Sequence, residues 1–405
     1  MNVLQINNTD LPGARFNGYN VMEYLNSNGI SCSQIVYERL SNNDNVYSIK
    51  IDDDVNNIIV NFEKKFSLHS VIIPYAHLIK RLDQYIDADI IHYHLIHNNL
   101  LSIYDLPMLM KNKINIFTLH DPWIFTGHCT HPIDCTEWLS GCEKCNNLER
   151  LFSISKDNSH NMWLMKKEFF EENKKNLSLI VASKWMLDIV KRSPITSDVK
   201  NVYYVPFGIN INTFSKENKN KKILRKQYGI RSDDFVVMFR ETSDELKGMF
   251  YIIEMLKSIY DVDDISIVTV GMTGLLEGLK GKYSIKEFGW INDEKVLSDI
   301  YGVSDVFIMT SIAESFGVMA IEAMAASLPV VVFKETALEE IVADIDRSLC
   351  VEYKSIQAMK DIILKLKEDK QYYELLSIRA YQNAQNKYDE QIYFENICNI
   401  YNQLI

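Results

Sequence analysis

The sequence predicts an α/β protein built from two parallel-sheet units, and three observations carry that prediction. Short apolar runs rich in β-branched residues alternate with amphipathic stretches of ten or more residues, the pattern of parallel sheets wrapped by helices. The alternation stops after Pro206 and restarts at Phe235. At 405 residues the chain also exceeds the size of one ordinary domain.

In the first half, strands are expected at 3–6, 33–37, 89–93, 114–119, 179–182 and 202–205, with a turn at Pro12 and Gly13 leading into a helix over 16–27. A polar stretch rich in Lys and Asn, 210–222, carries no strand signal and marks a boundary. The second half repeats the pattern with strands at 235–239, 265–270, 285–288, 305–309, 329–333 and 349–351. From Ser355 onward no strand signal remains and the pattern reads as terminal helices. The expected domains are 1–205, 206–380 and a helical segment 381–405 that would cross back to the first domain.

Composition narrows the function. Apolar residues make up 47% and charged residues 24%, with 15 Gly and 8 Pro, which excludes disordered and collagen-like chains. Lys and Arg number 43 against 54 Asp and Glu, a net charge of −11, so nucleic acid is not an expected partner. Of that charge, −3 lies in residues 1–205 and −8 beyond them, so the first domain is the less acidic. No run of eighteen apolar residues occurs and the first residues lack the basic and long apolar regions of a signal peptide, so a cytoplasmic chain is expected. Seven Cys in such a chain do not read as a disulfide scaffold.

The segment 304–333 is the most informative: a strand, a short loop, a helix and a second strand. Glu314 falls in the loop at the carboxyl end of its strand, where open α/β sheets place ligands, and the amides of Ser315, Phe316 and Gly317 lead into a helix start beginning near Val318. Glu322 follows eight residues later, roughly 12 Å along a helix rising ~1.5 Å per residue, a separation suited to a hexose and a ribose flanking a diphosphate. Two glutamates decorating a solvated helix end are the plain alternative.

The pattern Glu-Ser-Phe-Gly, then Glu-Ala-Met-Ala, then an apolar strand opening with Pro resembles the glutamate pair of family 4 retaining glycosyltransferases. Upstream, Phe239-Arg240 and Leu246-Lys247-Gly248 resemble that family's Arg and Lys, which hold the donor diphosphate. Cations at a strand end and helix start suit a leaving group whose charge grows as its bond breaks. Thr118-Leu119-His120-Asp121 resembles the Thr-x-His-Asp segment whose His contacts the donor sugar. Val181–Trp185 and Tyr204–Asn210 match further family landmarks.

The resemblance implies a GT-B fold, with two Rossmann-like domains facing a cleft. It also implies a nucleotide-diphosphate sugar as donor and a glycan or lipid-linked oligosaccharide as acceptor. In this reading His120, Arg240, Lys247 and Glu314 are the catalytic set. Gly13, Gly271, Trp290, Ser315, Phe316, Gly317, Val318 and Glu322 line the donor; Trp290 would contact the base or else belong to the core. No cofactor is required for the chemistry. A peripheral contact with the inner face of the cytoplasmic membrane is expected from the acceptor, and Lys166, Lys167, Lys174, Lys175, Lys191 and Arg192 offer a basic region, although Glu168, Glu171 and Glu172 sit among them.

Cys129, Cys135, Cys142 and Cys145 form C-x5-C-x6-C-x2-C, which would wrap one structural zinc ion, with His128 and His131 as substitute ligands, or pack as free thiols, ahead of a pair of disulfides. A similar Cys-bearing insertion marks the branch of the family that builds colanic acid, O-antigen and capsule. The chain also departs from the family. It has one glycine, Gly13, where many members have two, Ala326-Ser327-Leu328-Pro329 where Cys-Gly-x-Pro is common, and Lys334–Ala337 where a Gly-Gly pair is expected. A sugar-nucleotide epimerase and a non-catalytic scaffold on the same fold are the competing readings.

Overall fold

The computed structural model describes residues 1–97, 100–149, 152–215 and 220–405. It divides into two compact units, Met1–Phe207 with Tyr393–Ile405, and Gly208–Ile392. The first unit thus extends two residues past the expected 205, and the segment it takes back begins at Tyr393 rather than 381. Residues 216–219 of the polar stretch expected at the boundary lie outside the described residues.

The first unit is a seven-stranded parallel sheet with strands β1 Asn2–Thr9, β2 Ser31–Glu38, β3 Val46–Ser48, β4 Ile90–Tyr93, β5 Ile114–Leu119, β6 Leu177–Val181 and β7 Asn201–Tyr204. Their order is β3-β2-β1-β4-β5-β6-β7. Strands covered on both faces read as apolar runs, and Leu4, Ile6, Ile91, Tyr93, Phe117 and Leu179 form the centre of the core. β1 breaks that rule, because Gln5 and Asn7 are buried beside them. The edge strand β3 was not foreseen; three residues are too few for a period of two to show. The helix expected from residue 16 starts at Tyr19, since Gly13–Gly18 form a turn held by Asn17, whose Nδ2 donates to the carbonyls of Thr9, Asp10 and Pro12.

The second unit is a six-stranded parallel sheet: β8 Phe235–Glu241, β9 Ile265–Gly271, β10 Ser284–Glu287, β11 Val306–Met309, β12 Val330–Phe333 and β13 Cys350–Val351, in the order β10-β9-β8-β11-β12-β13. β8 pairs with β11 in register Phe239 to Ile308, so the loops that follow these two strands begin side by side. Three helices close the chain, Ile356–Glu368, Lys370–Lys387 and Glu390–Leu404. No helix among the described residues is long and apolar enough to cross a membrane.

The expected basic surface is corrected in one respect. Lys166 is fully buried: its Nζ lies 3.9 Å over the Trp123 ring and donates to the carbonyls of Trp123, Thr126 and Gly127. Three acceptors and an aromatic face meet the demand of an ammonium group out of water.

Candidate active site

The candidate residues lie at the carboxyl ends of the strands, and in the second unit they gather where the strand order reverses, the place at which neighbouring loops diverge and leave a crevice. In the second unit this lies between β8 and β11. After β8 come Arg240, the short turn Glu245–Lys247 and the helix Met249–Ser258; after β11 come residues 310–317 and the helix Val318–Ala325. The two loops are fastened together, with Ile312 N–H donating to Leu246 O at 2.9 Å and Thr310 Oγ1 to Gly248 O at 3.0 Å.

This fastening brings two distant parts of the sequence into contact. Lys247 Nζ lies 2.9 Å from Glu314 Oε2, and Ser311 Oγ donates to the same oxygen at 3.2 Å. Both charged side chains stay partly open, at 27% and 16% exposure. A partly solvated ion pair is weakly held, so Lys247 can turn to a phosphate without leaving a buried charge behind.

Gly248 makes the approach possible. Its φ is 67°, and a β-carbon there would sit 1.9 Å from Thr310 O, which is backbone and has little room to yield. Gly248→Ala is therefore expected to push the two loops apart. The left-handed backbone costs about 1–2 kcal/mol by itself, so the thermal midpoint should fall by several degrees. The Lys247–Glu314 contact, followed through Lys Nζ by NMR, should disappear. An unchanged midpoint and contact would refute this account of the crevice.

Arg240 is exposed and makes no ion pair among the described residues; its guanidinium carbon sits 5.9 Å from the Trp290 ring. Trp290 is 71% exposed, with Nε1 donating to Asn292 Oδ1, so it is not core. Gly271 ends β9 beside it, with its N–H on Gly289 O. Ser315 and Val318 are half-buried and Phe316 and Gly317 buried at the start of the helix Val318–Ala325, whose first N–H groups have no acceptor within the helix and favour an anion.

Glu322 departs from expectation. It is 3% exposed and Oε2 accepts from Tyr301 Oη at 2.8 Å, so it faces inward and does not share the open rim with Glu314. The helix that carries it is buried from Ala320 to Ala325, leaving its second turn no solvent face.

Sequence reasoning missed Glu241. This carboxylate is fully buried and accepts from Thr269 Oγ1 at 2.9 Å and Leu275 N–H at 2.7 Å, tying down the loop after β9. Burial raises its pKa, and neighbouring Glu287 acts the same way. The signal was an acid directly after Arg240, at the end of an otherwise apolar strand.

In the first unit the reversal lies between β1 and β4. Gly13 heads the turn after β1, its carbonyl accepting from Phe16 and Asn17 N–H at 2.9 Å. His120, half-buried at the end of β5, stacks on Phe207 with centroids 5.5 Å apart and has Nε2 3.1 Å from His94 Nδ1. Burial pushes its pKa down to about 4, so the ring is neutral near pH 7. Asp121 caps the following turn through Trp123 N–H and takes His97 Nε2 at 3.0 Å, a structural use.

Among the described residues no three His, Cys, Asp or Glu side chains are placed to hold one ion. Cys142 Sγ accepts from Gly127 N–H, and burial pushes its pKa up to about 12. Cys145 Sγ instead meets His128 Nε2 and donates to Asn147 O. Cys129 and Cys135 are half-buried and form no disulfide.

Residues 220–383 match the family described as Glycosyl transferases group 1. The second unit carries a group 1 glycosyl transferase segment. Among curated relatives of the chain, an uncharacterized glycosyltransferase of Methanocaldococcus jannaschii is 30% identical over 144 residues, 34% of this chain and 36% of that protein. The capsular polysaccharide biosynthesis glycosyltransferase CapM of Staphylococcus aureus is 25% identical over 210 residues, 49% of this chain and 53% of CapM. The matches thus span between about a fifth and a half of the relatives' lengths. HepE of Anabaena, whose crystal structure holds UDP and glucose, aligns over 99% of both chains with a TM-score of 0.67 at 15% identity. That likeness concerns the fold, which is GT-B: two Rossmann-like units, as expected.

Proposed function

We propose that this group 1 glycosyl transferase moves a sugar, with retention, from a nucleotide-diphosphate donor to a glycan acceptor. The observation that carries the reading is the crevice of the second unit, where exposed Arg240, the Lys247–Glu314 pair and a helix start converge on one sheet reversal. Arg240 and Lys247 hold the diphosphate, Glu314 takes hydroxyls of the sugar ring, and Glu322, through its helix, supports the ribose side. The Thr-x-His-Asp pattern assigns His120 to the same sugar. As the glycosidic bond breaks, charge grows on the departing phosphate, and the two cations and helix amides stabilise it. The new bond forms on the face the nucleotide leaves, and the departing phosphate oxygen helps to take the acceptor proton.

The similarity to CapM, a capsular polysaccharide biosynthesis glycosyltransferase, supports a surface-polysaccharide acceptor, and the reading adds a lipid carrier for it. On the helix Asp53–Lys65, Val55, Ile58 and Phe62 are exposed, an apolar stripe suited to a membrane-borne acceptor. The test is mass spectrometry of products from a panel of sugar nucleotides, with lipid-linked oligosaccharides in vesicles and with no acceptor. Transfer that needs the acceptor and keeps the anomeric configuration is expected. Conversion of the donor alone would point to an epimerase, and no binding of UDP or GDP by calorimetry would point to a scaffold.

A further inference from the structure

Beneath His120 lies a continuous chain of buried polar side chains. Tyr401, from the helix Glu390–Leu404, receives Gln5 Nε2 at 2.9 Å. Gln5 Oε1 lies 2.8 Å from His94 Nε2, and His94 Nδ1 lies 3.1 Å from His120 Nε2. Gln5 and Tyr401 are fully buried and His94 is 4% exposed, so water does not interrupt the chain. Gly18 packs against its middle: a β-carbon there would lie 2.7 Å from both Gln5 Oε1 and His94 Nε2.

Hydrogen-bond chemistry gives this chain a direction. An amide nitrogen only donates and an amide oxygen only accepts. Gln5 therefore donates to Tyr401, and the side chain also reaches the Cys32 sulfur. Its oxygen must receive a proton from His94 Nε2, which leaves His94 Nδ1 bare in the neutral ring. His120 Nε2 must then carry the proton between the two histidines, which leaves His120 Nδ1 bare. That nitrogen has no hydrogen-bond partner in the described residues and is not among the buried unpaired atoms.

We propose that Gln5, anchored by Tyr401, acts through His94 as a positioning residue that locks His120 in the Nε2–H tautomer, so that His120 Nδ1 accepts a hydrogen bond from a neutral hydroxyl of the sugar. This rests on the reading of His120 as a sugar contact. It deepens that reading by fixing the polarity: the ring can accept from a hydroxyl and cannot donate to a phosphate. Tyr401 donates its own proton to His92 Nδ1 at 2.7 Å, which sets His92 Nε2–H toward Thr118 Oγ1 at 2.7 Å. One amide orientation thus dictates the protons on three rings.

The test is two-bond ¹H–¹⁵N NMR on the full chain labelled at histidine. The expected result is Nε2–H for His92, His94 and His120 near pH 7. Finding Nδ1–H for His94 and His120 overturns the proposal, and this needs no variant. Gln5→Glu keeps an acceptor for His94 and should leave His120 unchanged while His92 inverts, because Tyr401 must then donate to the carboxylate. Gln5→Leu should release His120 into a mixture of tautomers and lower kcat/KM for the sugar nucleotide by about 3- to 10-fold, the worth of one neutral hydrogen bond. UDP or GDP alone should bind Gln5→Leu with unaltered affinity. A pure Nε2–H His120 in folded Gln5→Leu would also overturn the proposal. If the tautomers behave as stated and sugar transfer is insensitive to them, the fault lies in the assignment of His120 to the sugar.

Discussion

Lys247→Ala should lower sugar transfer by about 10- to 150-fold, the worth of one charge-assisted contact of ~1.5–3 kcal/mol to the leaving diphosphate, with little change in stability. Lys247 is only partly covered and its partner Glu314 keeps the Ser311 hydroxyl, so the folded protein loses a surface ion pair of small worth. In the proposed reaction, by contrast, charge grows on the leaving phosphate, and the missing cation is felt most in the transition state. Glu314→Gln should cost more than tenfold through the sugar hydroxyls. Because the two side chains touch, the double variant should fall short of the sum of the single effects. Initial rates with saturating acceptor, together with thermal midpoints, check both; near-normal rates in both variants would remove the assigned roles.

Acid should destabilise the first unit steeply. Burial pushes the pKa of His92 down to about 3 and of His120 to about 4, and lowers His69 and His94 well below the ordinary value. The unfolded chain protonates these rings near pH 6.5, whereas the folded unit refuses the protons until the pH is much lower. Above pH 6.5 both states are neutral and the histidines are silent. Below it the unfolded state gains protons and is favoured, by roughly 1.4 kcal/mol per pH unit for each fully buried ring. His97 and Asp121 also face His120, and the nearby Asp121 charge works against the lowering. With three buried rings and the half-buried His120, the midpoint should drop by about 10 °C or more between pH 7 and pH 5. Calorimetric scans across that range provide the check, and a flat midpoint would mean the rings are solvated.

The turn after β1 has one glycine at its head, Gly13, and a second at its foot, Gly18. Gly18 is the position at which any side chain would collide with Gln5 and His94. Gly18 is thus placed where the buried polar chain needs room.

Much of this protein was legible from local signals. The alternation of apolar runs and amphipathic stretches determined two parallel sheets, because strand and helix periods are properties of short segments. The loop positions of Arg240, Lys247 and Glu314 followed from the strands that precede them. The tertiary structure decided what depends on residues far apart in sequence. It buried Lys166 and Cys142, turned Glu322 onto Tyr301, and joined Gln5, His94, His120 and Tyr401 across almost the whole length of the chain. Periodicity reports which face of an element is apolar. Only the packed sheet determines which polar side chains meet inside it, since each must find its hydrogen-bond partner among residues that no sequence spacing brings together.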